Sequence, residues 1–106
     1  MMLNYPQPIL IPPKSAVLLI FMPPERLDKQ RRASLVAFAY SLQQHLDNRI
    51  RVLRIDETHH PEVVRSFYIT ETPAFVLVRQ GVEVWRQVGT PNEEMFIQLA
   101  QRLLHT

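Results

Sequence analysis

The chain has no cysteine in its 106 residues. No disulfide can form, so the redox state of its compartment leaves no trace in the composition, and no thiolate exists to serve as a nucleophile. No apolar run approaches the roughly 20 residues needed to cross a bilayer, which excludes a membrane-spanning helix and predicts a soluble protein. Residues 1 to 8 lack both a basic segment and a continuous apolar one, so no signal peptide is read there and the expected location is the cytoplasm. Charge of one sign is also missing. Twelve basic residues, ten of them arginine, face ten acids spread through the same segments, for a net charge of +2. Arg49, Arg51 and Arg54 form a short basic stripe, but no aromatic interleaving or nucleic-acid motif accompanies them, so no nucleic-acid partner is expected. His45, His59, His60 and His105 show no ligand spacing that completes a metal site, and no metal or other cofactor is expected.

At this length the chain makes one domain, and 46% hydrophobic residues are enough for an unstapled core. Proline is plentiful. Pro6, Pro8, Pro12 and Pro13 fix φ and remove amide donors, so residues 1–14 read as an extended arm ahead of a domain at 15–106. Ile9, Leu10 and Ile11, held between prolines, suit a sheet edge or an apolar groove.

The apolar run from Ala16 to Met22, closed by Pro23 and Pro24, has the pattern of a central parallel strand. A helix is expected from Pro24 to Asp47, with Asn48 as its stop and with Leu35, Phe38, Ala39, Leu42 and Leu46 on one face. Residues 49–56 read as the next strand, closing a right-handed strand–helix–strand crossover. Pro61 and Glu62 start a short helix through Phe67. Pro73 then heads the run Ala74 to Val78, placed where a strand tolerates the missing amide, and Gln80-Gly81 turns it into a returning strand, Val82 to Val88. Thr90, Pro91 and Glu93 have the spacing of a capping box for a final helix to Leu104, with Phe96, Leu99, Ala100 and Leu103 on its inner stripe.

Pro61-Glu62, Phe67, Ile69, Thr72-Pro73, Phe75, Leu77, Gly81 and Gly89 together resemble the second half of thioredoxin-like domains, and the resemblance extends over residues 15 to 104. It implies a three-layer α/β sandwich, trimmed at its N-terminus, with a mixed four-stranded sheet in the order β-α-β-α-β-β-α. It also implies a cis bond at Thr72-Pro73 and a loop at Glu57–His60 about two residues longer than the family's spacing. The departure is the missing Cys-x-x-Cys pair, whose place is held by residues 23–29. Thiol–disulfide exchange runs by thiolate attack on sulfur, and no hydroxyl here, Ser34 included, sits beside a base in a usable pattern, so no enzyme activity is expected. The charges of that segment read as a solvated helix face, with acid-first pairs Glu25–Lys29 and Asp28–Arg32.

In the family, the backbone ahead of this proline hydrogen-bonds an extended peptide beside the helix start. Carried over, this makes Met22, Pro23, Pro24, Arg26, Glu71, Thr72 and Pro73 a candidate peptide groove, with a protein or extended peptide as partner. Trp85, on the outer hairpin strand, is a second candidate contact if exposed, and a cover for the last helix if not. The function implied is that of a redox-inactive adaptor or assembly chaperone. The alternatives are a structural or oligomerising module, homodimeric through the hairpin edge and arm, and, less favoured, a glutathione-binding domain using the same turn.

Overall fold

The computed structural model describes residues 16–24, 26, 29–46 and 50–104. The arm, with its apolar triplet, and the helix stop at Asn48 lie outside the described residues. Seven elements follow in order: β1 (Ala16–Phe21), α1 (Lys29–His45), β2 (Ile50–Ile55), α2 (Pro61–Ser66), β3 (Ala74–Arg79), β4 (Val82–Val88) and α3 (Glu93–Leu104). The four strands form one mixed sheet in the order β2-β1-β3-β4, with β1 parallel to β2 and antiparallel to β3, and β3 antiparallel to β4.

Period-two alternation along the strands divides the core between the two sheet faces. Leu18, Ile20 and Met22 with Phe75 and Leu77 face α1 and α3, where they meet Leu35, Ala39, Leu42, Met95 and Leu99. Leu19, Phe21, Ala74 and Val76 face the other way, onto Val64 of α2, with Phe67 and Ile69 packed alongside. That is the expected three-layer sandwich. Central strands buried on both sides explain why β1 and β3 read as unbroken apolar runs. Burying a side chain such as Phe75 or Leu77 contributes about 1.5–3 kcal/mol each, and both are fully shielded from solvent.

Two sequence expectations are corrected. First, α1 starts at Lys29, not Pro24, and ends at His45 rather than Asp47. A residue that precedes proline is biased to extended backbone, so Met22-Pro23-Pro24 continues out of β1 instead of turning into a helix. Second, the cap of α3 is Asn92. Its Oδ1 accepts the Met95 amide at 2.9 Å, while Thr90 Oγ1 accepts from Arg31 at 2.9 Å and Pro91 stays outside the helix. Asparagine outranks threonine as a cap, and tertiary pairing of Thr90 leaves it the role. Arg32 donates to Asp56, 24 positions along the chain, while the expected pairs Glu25–Lys29 and Asp28–Arg32 each include a residue outside the described ones.

Trp85 is buried at 8% exposure, in the layer that holds Met95 and Leu99, and its Nε1 donates to Gln98 Oε1 of α3 at 3.4 Å. The exposed-contact expectation for it therefore fails, and the cover for the terminal helix is what the fold uses. The cause is a bulge. Leu77 pairs with Trp85 but Val78 pairs with Glu83, so Val84 is an extra residue in β4, and both Val84 and Trp85 pack on the α1/α3 side.

Candidate functional site

The parallel strands β1 and β2 finish at the same end of the sheet, and α1, α2 and α3 all begin there. The backbone leaving β1 is still pinned to β2, since the Met22 amide donates to the Ile55 carbonyl at 3.0 Å. Phe21 pairs with Ala74, so Met22 and Pro23 continue past the point where Thr72 and Pro73 arrive. The Thr72-Pro73 bond is cis, as the resemblance implied. Met22, Pro23 and Pro73 are buried, Thr72 is half-buried, and Pro24, Arg26 and Glu71 are exposed.

Hydrogen bonding at the turn is asymmetric. The Pro73 carbonyl accepts the Gly89 amide at 2.8 Å, with Gly89 at φ 110, a backbone state that L side chains rarely adopt. Among the described residues nothing hydrogen-bonds the backbone of Thr72. A half-buried residue with its amide and carbonyl unpaired is a place where an extended chain can add.

Arg32 secures the opposite wall. Its guanidinium donates to the Pro23 carbonyl at 2.9 Å and, through its second terminal nitrogen, to Asp56 Oδ1. Pro23 has no amide to anchor it, so this clamp holds the segment through its carbonyl. Beside it lies an open cleft of about 230 Å³ between residues 22–24 and 56–59. The loop from β2 to α2 closes on itself through Asp56, whose carbonyl accepts the amides of His59 (3.2 Å) and His60 (2.8 Å).

At the hairpin, Arg86 grips Glu83 through Nε and NH2, at 2.7 and 2.8 Å, and also donates to the Phe67 carbonyl at 2.8 Å. The hydrogen bond to Arg86 holds the Glu83 carboxyl below its ordinary value, and the same bond raises Arg86. Arg86 thus ties the end of α2, four residues ahead of Glu71, to β4.

Chemically, the site offers shape and backbone polarity. The rings of His59 and His60 stand 6.5 Å apart, and among the described residues no set of three potential ligands could hold a metal. The structure brings Met22, Pro23 and Pro24 to the Thr72-Pro73 turn, with Arg26 just beyond at a turn of its own, and puts Trp85 elsewhere. Sequence reasoning missed the Arg32–Asp56–Pro23 clamp, because nothing in the spacing of Arg32 and Asp56 distinguishes that pair from surface charges.

Against solved structures, the chain is similar to Fasciola hepatica thioredoxin, with a TM-score of 0.69 at 18% identity over 84% of this chain and 81% of that one. It is similar to the germline-specific thioredoxin Deadhead of Drosophila melanogaster, with a TM-score of 0.71 at 18% identity, covering 83% and 81%. The chain has the thioredoxin fold. It carries that fold without a cysteine. In sequence, it is 33% identical over 48 residues to thioredoxin H2 of Arabidopsis thaliana, a match spanning 45% of this chain and 36% of that relative's length. No protein-family model matches the chain. No helix among the described residues of this thioredoxin fold is long and apolar enough to cross a membrane.

Proposed function

We propose that this cysteine-free thioredoxin fold is a non-enzymatic binding domain that takes an extended protein segment along the Thr72-Pro73 turn, against the Met22-Pro23-Pro24 wall, in the role of an adaptor or assembly chaperone in the cytoplasm. The observation that carries the reading is the unpaired backbone of Thr72 in a half-buried turn whose two sides are independently braced, by Arg32 on Pro23 and by Gly89 on Pro73. An extended segment hydrogen-bonding there gains main-chain pairing without asking the scaffold to reorganise. Exchange chemistry has no sulfur nucleophile to start it. Burial of Trp85 removes the exposed aromatic on which a hairpin-edge dimer would have relied.

The test is amide-shift mapping of the labelled chain with the best binders from an immobilised array of 12-residue peptides. Shifts should cluster at residues 22–26 and 71–74, and insulin-disulfide reduction by the purified chain should stay at the uncatalysed rate. Peptide shifts centred elsewhere, or catalytic turnover, overturn the proposal.

A further inference from the structure

We infer that the cleft beside the Pro23-Pro24 wall receives a basic side chain, so that the extended segment bound at the Thr72 turn is one carrying a lysine or arginine. This rests on the peptide-binding reading above and adds to it the chemistry of the partner.

The cleft has two unlike walls. Met22, Pro23 and Pro24 supply an apolar one, and the turn of residues 56–59 supplies a polar one. Arg32 bridges them, donating to the Pro23 carbonyl and to Asp56 Oδ1. Both walls are held without a ligand, since Arg32 fixes the first and the Asp56 carbonyl, accepting the His59 and His60 amides, fixes the second. A volume of about 230 Å³ falls short of the roughly 300–1,000 Å³ of sites that enclose a whole small molecule. It is space for one side chain.

Charge decides which one. The lining sets one cation, Arg32, against two carboxylates, Asp56 and Glu57, and with His59 neutral one negative charge is left over. Arg32 engages Asp56 through Oδ1, and among the described residues nothing bonds Asp56 Oδ2 or the Glu57 carboxylate. The Asp56 side chain is 29% exposed and Glu57 is exposed, so both are open to an incoming donor. An apolar side chain would rest on the prolines but strip water from these carboxylates without replacing it, and an acidic one would meet like charge. A lysine or arginine satisfies both walls. Its methylene stem lies along Met22, Pro23 and Pro24 while its charged head donates to Asp56 and Glu57.

The strand order puts this cleft within reach of the Thr72 turn. β1 lies between β2 and β3, so the segment 22–24 that leaves β1 stands between the cleft, at the end of β2, and Thr72-Pro73, at the head of β3. The lines of β2 and β3 are two strand spacings apart, about 10 Å. A segment paired with Thr72 and lying against the Met22-Pro24 wall spans that distance with one long side chain extended over the exposed Pro24.

The experiment takes the array-selected peptides and replaces their basic residues one at a time with methionine, which keeps an unbranched apolar stem and removes the charge. One replacement in each peptide should weaken binding about fivefold, the upper range for a part-exposed ion pair. It should also abolish the amide shifts at residues 56–59 while leaving those at 71–74. On the protein side, Glu57→Gln should weaken the same peptides about threefold with unchanged melting, and Glu57→Lys about tenfold. Glu93→Gln on α3, an equal change in net charge outside the cleft lining, should leave affinity unchanged. Raising the salt from about 0.05 to 0.5 M should narrow the gap between wild type and Glu57→Gln. If no basic residue of the selected peptides matters, or Glu57→Lys binds them as tightly as wild type, with shifts still at residues 71–74, the basic-side-chain cleft is overturned and the groove stands. If no peptide shifts residues 71–74 in wild type, the groove fails and this inference with it.

Discussion

β2 lies at the edge of the sheet, and an unpaired strand edge is a template for a second chain. Gln43 of α1 occupies it. Its Nε2 donates to the Ile50 carbonyl at 2.9 Å and its Oε1 accepts the Val52 amide at 2.7 Å. The side-chain amide thus takes the carbonyl and amide that a neighbouring strand would use, two residues apart on the outward side of β2, while Ile55 turns its carbonyl inward to Met22. Each hydrogen bond contributes about 0.5–1.5 kcal/mol net, and fixing a glutamine side chain costs up to about 1.5–2 kcal/mol in rotamer entropy. Gln43→Ala should therefore destabilise the domain by about 1 kcal/mol, lowering Tm by roughly 4–8 °C. The Val52 amide should exchange faster by about fivefold, since local opening there loses the same free energy. Gln43→Glu makes the sharper comparison, because a carboxylate still accepts from Val52 but presents oxygen to the Ile50 carbonyl, and it should melt at or below Gln43→Ala at neutral pH. Sedimentation across a concentration series should show self-association in Gln43→Ala at concentrations where wild type shows none. A Gln43→Ala protein with wild-type melting and unchanged Val52 exchange would refute the edge-locking argument.

Two further outcomes follow from the local corrections to the fold. Asn92→Ala should cost about 1 kcal/mol in chemical denaturation through loss of the α3 cap, whereas Thr90→Ala, the residue the sequence pattern favours, should cost less than half of that; the reverse order would restore the capping box. Glu83 titrates below its ordinary 4.5 in the folded state, so its pairing with Arg86 stabilises above the unfolded value and is lost as pH falls through the lower folded one. Melting temperature should accordingly drop on acidification below about pH 4.5 with a contribution that Glu83→Gln lacks, and with side chains 31–35% exposed the difference should shrink in high salt.

Much of this protein was legible in order along the chain. The apolar runs at 16–22 and 74–78 specified strands buried on both faces, the stripe at Leu35, Phe38, Ala39, Leu42 and Leu46 specified an inward helix face, and the resemblance built on Phe67, Ile69, Thr72-Pro73 and Gly89 led to the right fold and to the cis bond. These are one-dimensional signals, set by the 2.0 and 3.6 residue periods and by what proline and glycine permit. Tertiary structure decided the rest, wherever a polar group had a choice of partner. Thr90 left its helix cap for Arg31, Arg32 found Asp56 and Pro23, Gln43 folded back onto a strand edge, and one extra residue at Val84 turned Trp85 from the surface into the core. Spacing fixes which residues are neighbours in a helix or strand, but hydrogen-bond donors and carbonyls are satisfied by whatever the packed fold brings within 3 Å, and that distance is not written in the order of the residues.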